Sequence, residues 1–276
     1  MRSFNMPSGG QMPAFGIGTW RMGESARRRA QELEAVKYAI ELGYPMIDTA
    51  EMYGDGGAEE IIGEALAGHR QRPFIVSKVY PHNATRSGTV AACERSLKRL
   101  GIERIDLYLL HWRGGARLEQ TFEAFHRLRE SGKIADFGVS NFDTDDMQDA
   151  ARLDNGLTGS NQVLYCLSRR GPEFDLLPWM RKRSIPLMAY SPLDQGGLPG
   201  KAALKKLAGD VGCTPAQLAL AWVLAQPGVV TIPKSSTRER VKENLGAVDI
   251  ELSPQILAEL DRAFPPPKGK QSLQML

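Results

Sequence analysis

The chain has 276 residues, 42% of them hydrophobic and 24% charged, with a formal net charge of +3. That balance belongs to a soluble globular protein with ample material for a core, and the charge is too small to imply a polyanion such as nucleic acid as partner. No run approaches the roughly 18 apolar residues of a membrane span, and the segment from Met1 to Gly10 lacks a signal-peptide core, so a cytoplasmic protein is expected. Cys93, Cys166 and Cys213 are odd in number and form no CxxC pair. Buried free thiols are therefore expected, with no disulfide framework and no metal site.

Along the chain, strand-like and helix-like stretches alternate with little interruption. Ser3 to Pro13, with Pro7-Ser8-Gly9-Gly10 between short apolar-containing flanks, reads as a hairpin that could cap one end of the fold. Ala14 to Gly18 is a short strand, followed by a helix from Arg29 to Leu42 with Leu33, Val36, Ala39 and Ile40 at helical spacing. The unit then repeats. Strands at Met46–Asp48, Phe74–Lys78 and Ile105–Leu110 lead to helices near Ala58–Ala67, Ser87–Leu100 and Leu118–Ser131, each followed by a glycine in the C′ position. Ile134–Val139 leads to a helix beginning after Asp143, a good N-cap. Strands at Ser160–Val163, Pro186–Tyr190 and Val229–Ile232 alternate with helices at Pro172–Arg183, Pro215–Ala225 and Arg238–Leu245, and Ser253-Pro254 opens a last helix to about Phe264. Eight such βα units favour closure into a barrel over an open sheet with edges to cover, so a single α/β domain, residues 1–276, with a (β/α)8 TIM-barrel architecture is expected.

Asp48, Lys78 and His111 stand at or just after the ends of three successive strands, and Tyr53 follows Asp48 closely. In parallel α/β folds the strand carboxyl ends carry the active site, so these side chains should converge on one mouth. A phenol beside an ammonium can act as a general acid towards a carbonyl oxygen. A charge about 4 Å away contributes on the order of 4 kcal/mol at an effective dielectric near 20, enough to lower a pKa near 10 by up to about three units. Asp48 would keep Lys78 charged, and His111 would orient the carbonyl. A strand-end lysine, Lys78 or Lys234, could alternatively form a Schiff base as in aldolases. A nicotinamide-binding subunit without turnover is a further alternative. Gly16-Ile17-Gly18 does not make a Rossmann fingerprint, because Arg21 holds the third-glycine position.

Several of these runs carry a family resemblance. Gly16-Ile17-Gly18-Thr19-Trp20, Ile47-Asp48-Thr49-Ala50-Glu51-Met52-Tyr53-Gly54, Ser77-Lys78-Val79, Leu107-Tyr108-Leu109-Leu110-His111-Trp112, Gly138-Val139-Ser140-Asn141-Phe142 and Ile232-Pro233-Lys234-Ser235 occur in order. So do Asn161-Gln162 and Ala189-Tyr190-Ser191-Pro192-Leu193. In this the chain resembles the aldo-keto reductases, particularly bacterial members able to reduce methylglyoxal. The resemblance implies that Asp48, Tyr53, Lys78 and His111 form a catalytic tetrad and that NADPH reduces a small-molecule aldehyde, dicarbonyl or ketone. It implies that Thr19 and Trp20 belong to the cofactor site, that Ser140, Asn141 and Gln162 bind the nicotinamide carboxamide, and that Tyr190 stacks on its ring. Ser191 and Leu193 would contact the pyrophosphate, and Lys234, Ser235, Arg240, Glu243 and Asn244 the adenosine end. A lysine, a hydroxyl and an arginine suit a dianionic 2′-phosphate, which favours NADPH over NADH. Trp20, Tyr80 and Trp112 follow strands and are expected to wall the substrate pocket. The short connection Arg113-Gly114-Gly115-Ala116-Arg117 and the short tail after Phe264 predict a comparatively open pocket, and a monomer is expected.

Overall fold

The computed structural model describes residues 2–69 and 71–276, leaving Met1 and Arg70 outside the described residues. It opens with an antiparallel hairpin of β1 (Ser3–Asn5) and β2 (Gln11–Pro13), in which Ser3 pairs with Pro13 and Asn5 with Gln11. The main sheet takes the strands in chain order: β3 (Ile17–Gly18), β4 (Met46–Asp48), β5 (Phe74–Val79), β6 (Ile105–Leu110), β7 (Ile134–Ser140), β8 (Asn161–Leu164), β9 (Leu187–Tyr190) and β10 (Val229–Thr231). All its pairings are parallel. Such a sheet is covered on both faces, and the runs Ile75–Val79 and Leu107–Leu110 are accordingly buried throughout.

The two ends of this eight-stranded sheet meet. Gly16 N–H donates to the Thr231 carbonyl at 3.0 Å and Gly18 N–H to the Pro233 carbonyl at 3.1 Å, closing the ring. The seam explains both glycines. A Cβ on Gly16 would lie 2.8 Å from the Met46 carbonyl oxygen, and one on Gly18 2.8 Å from that of Ile232. These glycines let three backbones approach one another.

Two apolar layers follow from strand alternation. Inward-facing Met46, Val76, Leu107, Leu109, Met188, Val230 and Ile232 fill the barrel, and Met6 and Met12 of the hairpin pack onto them as its floor. Met12 is fully buried, worth about 1.5–3 kcal/mol by area. The outward-facing residues meet the helices α1 (Ala26–Glu41), α2 (Gly57–Leu66), α3 (Arg86–Leu100), α4 (Leu118–Glu130), α5 (Thr144–Leu153) and α6 (Leu176–Arg181). They also meet α7 (Ala202–Val211), α8 (Pro215–Ala225), α9 (Arg238–Leu245) and α10 (Pro254–Ala263).

Local capping sets several boundaries where the sequence placed them. Asp143 accepts from the N–H groups of Asp145 and Asp146 in a capping box, and Ser253 accepts from Ile256 N–H at 3.3 Å. Two segments differ. The helix predicted over Pro172–Arg183 is a 3-10 turn at Gly171–Glu173 and then α6, because Asp175 breaks the run and caps Leu176 with its own side chain at 2.8 Å. Helix α7 was not predicted, although Leu204, Leu207 and Ala208 supply a buried stripe at helical spacing. Cys93 and Cys166 are buried free thiols, and Cys213 is partly exposed. Among the described residues no single helix is long and apolar enough to cross a membrane.

Candidate active site

Period-two alternation delivers the polar residues to one rim. In β4 the inward Met46 is followed two residues on by Asp48, in β5 Val76 by Lys78, and along β6 Leu107 and Leu109 by His111. Met188 precedes Tyr190, and Val230 and Ile232 precede Lys234, in the same phase. These strands are therefore apolar within the barrel and polar at their carboxyl ends. Tyr53 arrives by a tight turn, its N–H donating to the Ala50 carbonyl at 3.1 Å.

The four groups meet. Lys78 Nζ donates to Asp48 Oδ1 at 2.8 Å and Oδ2 at 2.9 Å, to the Thr49 carbonyl at 2.7 Å, and lies 3.3 Å from the Tyr53 hydroxyl. Gln162 Nε2 donates to Asp48 Oδ1 at 2.7 Å. The Tyr53 and His111 rings stand edge to face, 5.8 Å apart at 74°. Lys78 is 0% exposed, Asp48 2%, His111 7% and Tyr53 8%.

Burial dominates the electrostatics. It raises the Asp48 carboxyl and lowers the Lys78 ammonium, and the contact between the two opposes both changes. His111 is held well below the usual imidazole value by burial and then by the Lys78 charge, so the ring is neutral, and its Nδ1 is buried without a protein partner. The expected lowering of Tyr53 is not found. Burial first, then Asp48 and Tyr190, raise the phenol well above its ordinary value. Burial prevails, and Lys78 directs its three short contacts at Asp48 and Thr49, with Tyr53 its longest.

Two cavities adjoin this cluster. One, of about 260 Å³, is lined by Asp48, Tyr53, His111, Trp112, Ser140, Asn141, Gln162 and Tyr190 together with Gly18, Met52 and Ile232. The other, of about 490 Å³, is lined by Leu193, Ser235, Arg240, Glu243 and Asn244 among others. Trp20, Ser191 and Lys234 border both, so the two form one groove. Within it, Asn141 Nδ2 donates to the His111 carbonyl, Tyr190 OH donates to Asn141 Oδ1 at 3.0 Å, and Asn244 Nδ2 donates to Ser235 Oγ at 2.8 Å. Lys234 Nζ donates to Ser236 Oγ at 3.2 Å. Burial lowers its pKa. A lysine and an arginine beside the N-terminus of α9 suit a phosphate dianion, and the unpartnered His111 nitrogen and apolar walls suit a flat, partly polar ring.

The structure places three further elements around these cavities. Thr19 is fully buried and lies on neither cavity wall; its hydroxyl and N–H both donate to the Asp48 carbonyl, at 2.9 and 3.0 Å, bracing that strand end. Tyr80 is not on the wall either. It stands behind Trp112, ring centroids 5.1 Å apart. The tail, although short, reaches back across the mouth, and Met275 and Leu276 line the smaller cavity, making it less open than predicted. The signal for that return was the apolar pattern Leu273, Met275, Leu276 after a polar stretch.

The family model for the Aldo/keto reductase family matches residues 14–264. The chain belongs to the aldo/keto reductase family. Methylglyoxal reductase YeaE of Escherichia coli is 48% identical over 271 residues, 96% of this chain and 95% of the relative. Glyoxal reductase of Bacillus subtilis is 35% identical over 257 residues, 92% of this chain and 90% of that one. The crystal structure of an aldo/keto reductase from Klebsiella pneumoniae in complex with NADP and acetate superposes with a TM-score of 0.95 at 48% identity, covering 99% of both chains. A second Klebsiella pneumoniae aldo-keto reductase structure, in complex with NADPH, has the same TM-score of 0.95 and covers 100% of both chains. The reductase is thus a (β/α)8 oxidoreductase.

Proposed function

We propose that this reductase uses NADPH to reduce a small aldehyde or dicarbonyl to an alcohol, with Tyr53 as the proton donor. When bound, the nicotinamide supplies the hydride. Ser140, Asn141 and Gln162 hold its carboxamide and Tyr190 its ring, while Lys234, Ser235, Arg240, Glu243 and Asn244 hold the adenosine end. Structures of relatives at 48% identity in complex with NADP and NADPH support this choice of cofactor.

Tyr53, protonated at neutral pH because burial raises its pKa, donates its hydroxyl proton to the carbonyl oxygen as negative charge develops there. An alkoxide is a stronger base than an ordinary phenolate, so the charge developing on the carbonyl oxygen draws the proton from the phenol. Lys78, 3.3 Å from the hydroxyl and held by both Asp48 oxygens, stabilises the phenolate that forms. Neutral His111 offers a ring N–H to orient the carbonyl. A Schiff-base role for Lys78 is disfavoured because its ammonium is fully engaged by Asp48 and Thr49. The small cavity walled by Trp20, Trp112 and Met52 supports a small substrate, as do relatives named for methylglyoxal and glyoxal reduction.

The contact between Tyr53 and Lys78 carries the reading. Tyr53→Phe removes the proton but keeps the ring, and should abolish methylglyoxal-dependent NADPH oxidation while NADPH binding by fluorescence titration is retained. Turnover undiminished in that variant would remove Tyr53 from the role.

A further inference from the structure

Glu51 lies between Asp48 and Tyr53 in the chain and its side chain bonds elsewhere, yet its carboxylate is buried, with its side chain 8% exposed. Oε1 accepts from the Tyr80 backbone N–H at 2.8 Å and from Asn83 Nδ2 at 3.0 Å, while Oε2 pairs with Arg95 Nη2 at 3.2 Å. The Glu51 N–H points to the Lys78 carbonyl at 3.4 Å. One residue therefore grips the chain on both sides of Val79, immediately after Lys78. Tyr80, so held, stands edge-on against Trp112, and Trp112 packs on His111 with centroids 4.8 Å apart.

A buried carboxylate is costly unless its oxygens are satisfied, and here they are satisfied by the segment that backs the cavity wall. We propose that Glu51 is a positioning residue that sets substrate fit by fixing Tyr80 behind Trp112, and through Trp112 the placement of His111. This rests on the carbonyl-reductase reading above. The reach of the carboxylate to Tyr80 N–H is what matters, more than its charge, because Arg95 is half exposed and free to be solvated.

Two conservative variants separate reach from charge. Glu51→Gln keeps a carbonyl oxygen at the same distance and loses the charge. Glu51→Asp keeps the charge and withdraws it by one methylene, about 1.5 Å. Misplacement on the order of 1 Å can cost up to about 100-fold in rate, so Glu51→Asp should raise KM for methylglyoxal about tenfold. The Kd for NADPH should stay within about twofold and the Glu51→Gln KM within about threefold of the unaltered chain, since Glu51 itself lines neither cavity and the adenosine end lies apart from it. In a Trp112→Ala background, where the backed wall is gone, the penalty of Glu51→Asp should shrink to less than about twofold, the signature of coupling. The proposal is overturned if Glu51→Asp lowers only the melting temperature, if Glu51→Gln is as impaired as Glu51→Asp, or if the penalty persists without Trp112. Absence of any aldehyde-dependent turnover in the unaltered chain would instead remove the underlying reading, and is seen before any variant is made.

Discussion

Gln162 and Lys78 share one oxygen: Gln162 Nε2 and Lys78 Nζ both donate to Asp48 Oδ1, at 2.7 and 2.8 Å. Gln162 thereby ties the proposed nicotinamide pocket to the buried ion pair, with its own carbonyl oxygen left to accept from a carboxamide. Gln162→Leu should raise the Kd for NADPH about tenfold, a hydrogen bond's worth of about 1–1.5 kcal/mol, and lower kcat as well, because Asp48 loses a donor. Fluorescence titration and steady-state rates would check it; weakened binding with kcat untouched would show that the tie to Asp48 is idle.

Asp48 and Lys78 should behave as a unit in stability. Removing one member of a buried pair strands a charge at a cost of about 3–5 kcal/mol, whereas replacing both by neutral groups is far milder. Asp48→Asn should therefore destabilise more than Asp48→Asn combined with Lys78→Met, measured by urea unfolding. A double variant as unstable as the single one would contradict the pair.

Buried neutral His111 gives acid sensitivity of definite sign. The unfolded chain takes up a proton near pH 6.5, while burial and Lys78 keep the folded imidazole from doing so. The unfolded state thus binds more protons at low pH, and stability falls as pH drops below about 6.5, by about 1.4 kcal/mol per unit from this group until the lowered folded pKa is reached. In His111→Asn this component vanishes. A stability difference between the two proteins that does not change across that range would rule it out.

The raised phenol predicts the activity profile. Because Tyr53 stays protonated, aldehyde reduction should not fall through ionisation of this group between about pH 6 and about pH 9, while alcohol oxidation, which needs the phenolate, should rise throughout. Initial rates in both directions decide it. A reduction rate falling with an apparent pKa near neutrality, and assignable to Tyr53, would contradict the burial argument.

Arg240 lies in the larger cavity with Lys234 and Ser235, where a 2′-phosphate is proposed. Arg240→Ala should weaken NADPH binding about 10-fold to 100-fold, the worth of a charge-assisted hydrogen bond, and leave NADH almost unaffected. Equal losses for both nucleotides would place the phosphate elsewhere.

Much of the fold was legible because its signals are local. Strand bounds at Met46–Asp48 and Ile105–Leu110, the Asp143 cap and the Ser253 cap follow from alternation and capping chemistry within a few residues. Helix α6 was misjudged in length because Asp175 competes with the helix through its own side chain, and α7 went unrecognised between two loops. The Thr19 hydroxyl donates to the Asp48 carbonyl, 29 positions away, a contact no local pattern encodes.

What the sequence determined by itself was the order of the barrel strands and which side chains stand at their carboxyl ends, since period-two alternation and the crossover rule act along the chain. The tertiary structure alone decided who bonds to whom across it. Gln162 reaches Asp48 over 114 positions, Tyr80 retreats behind Trp112, the tail returns to the mouth, and Glu51 grips the strand after its own. Hydrogen bonding and burial depend on distances between remote residues, and those exist only once the ring has closed.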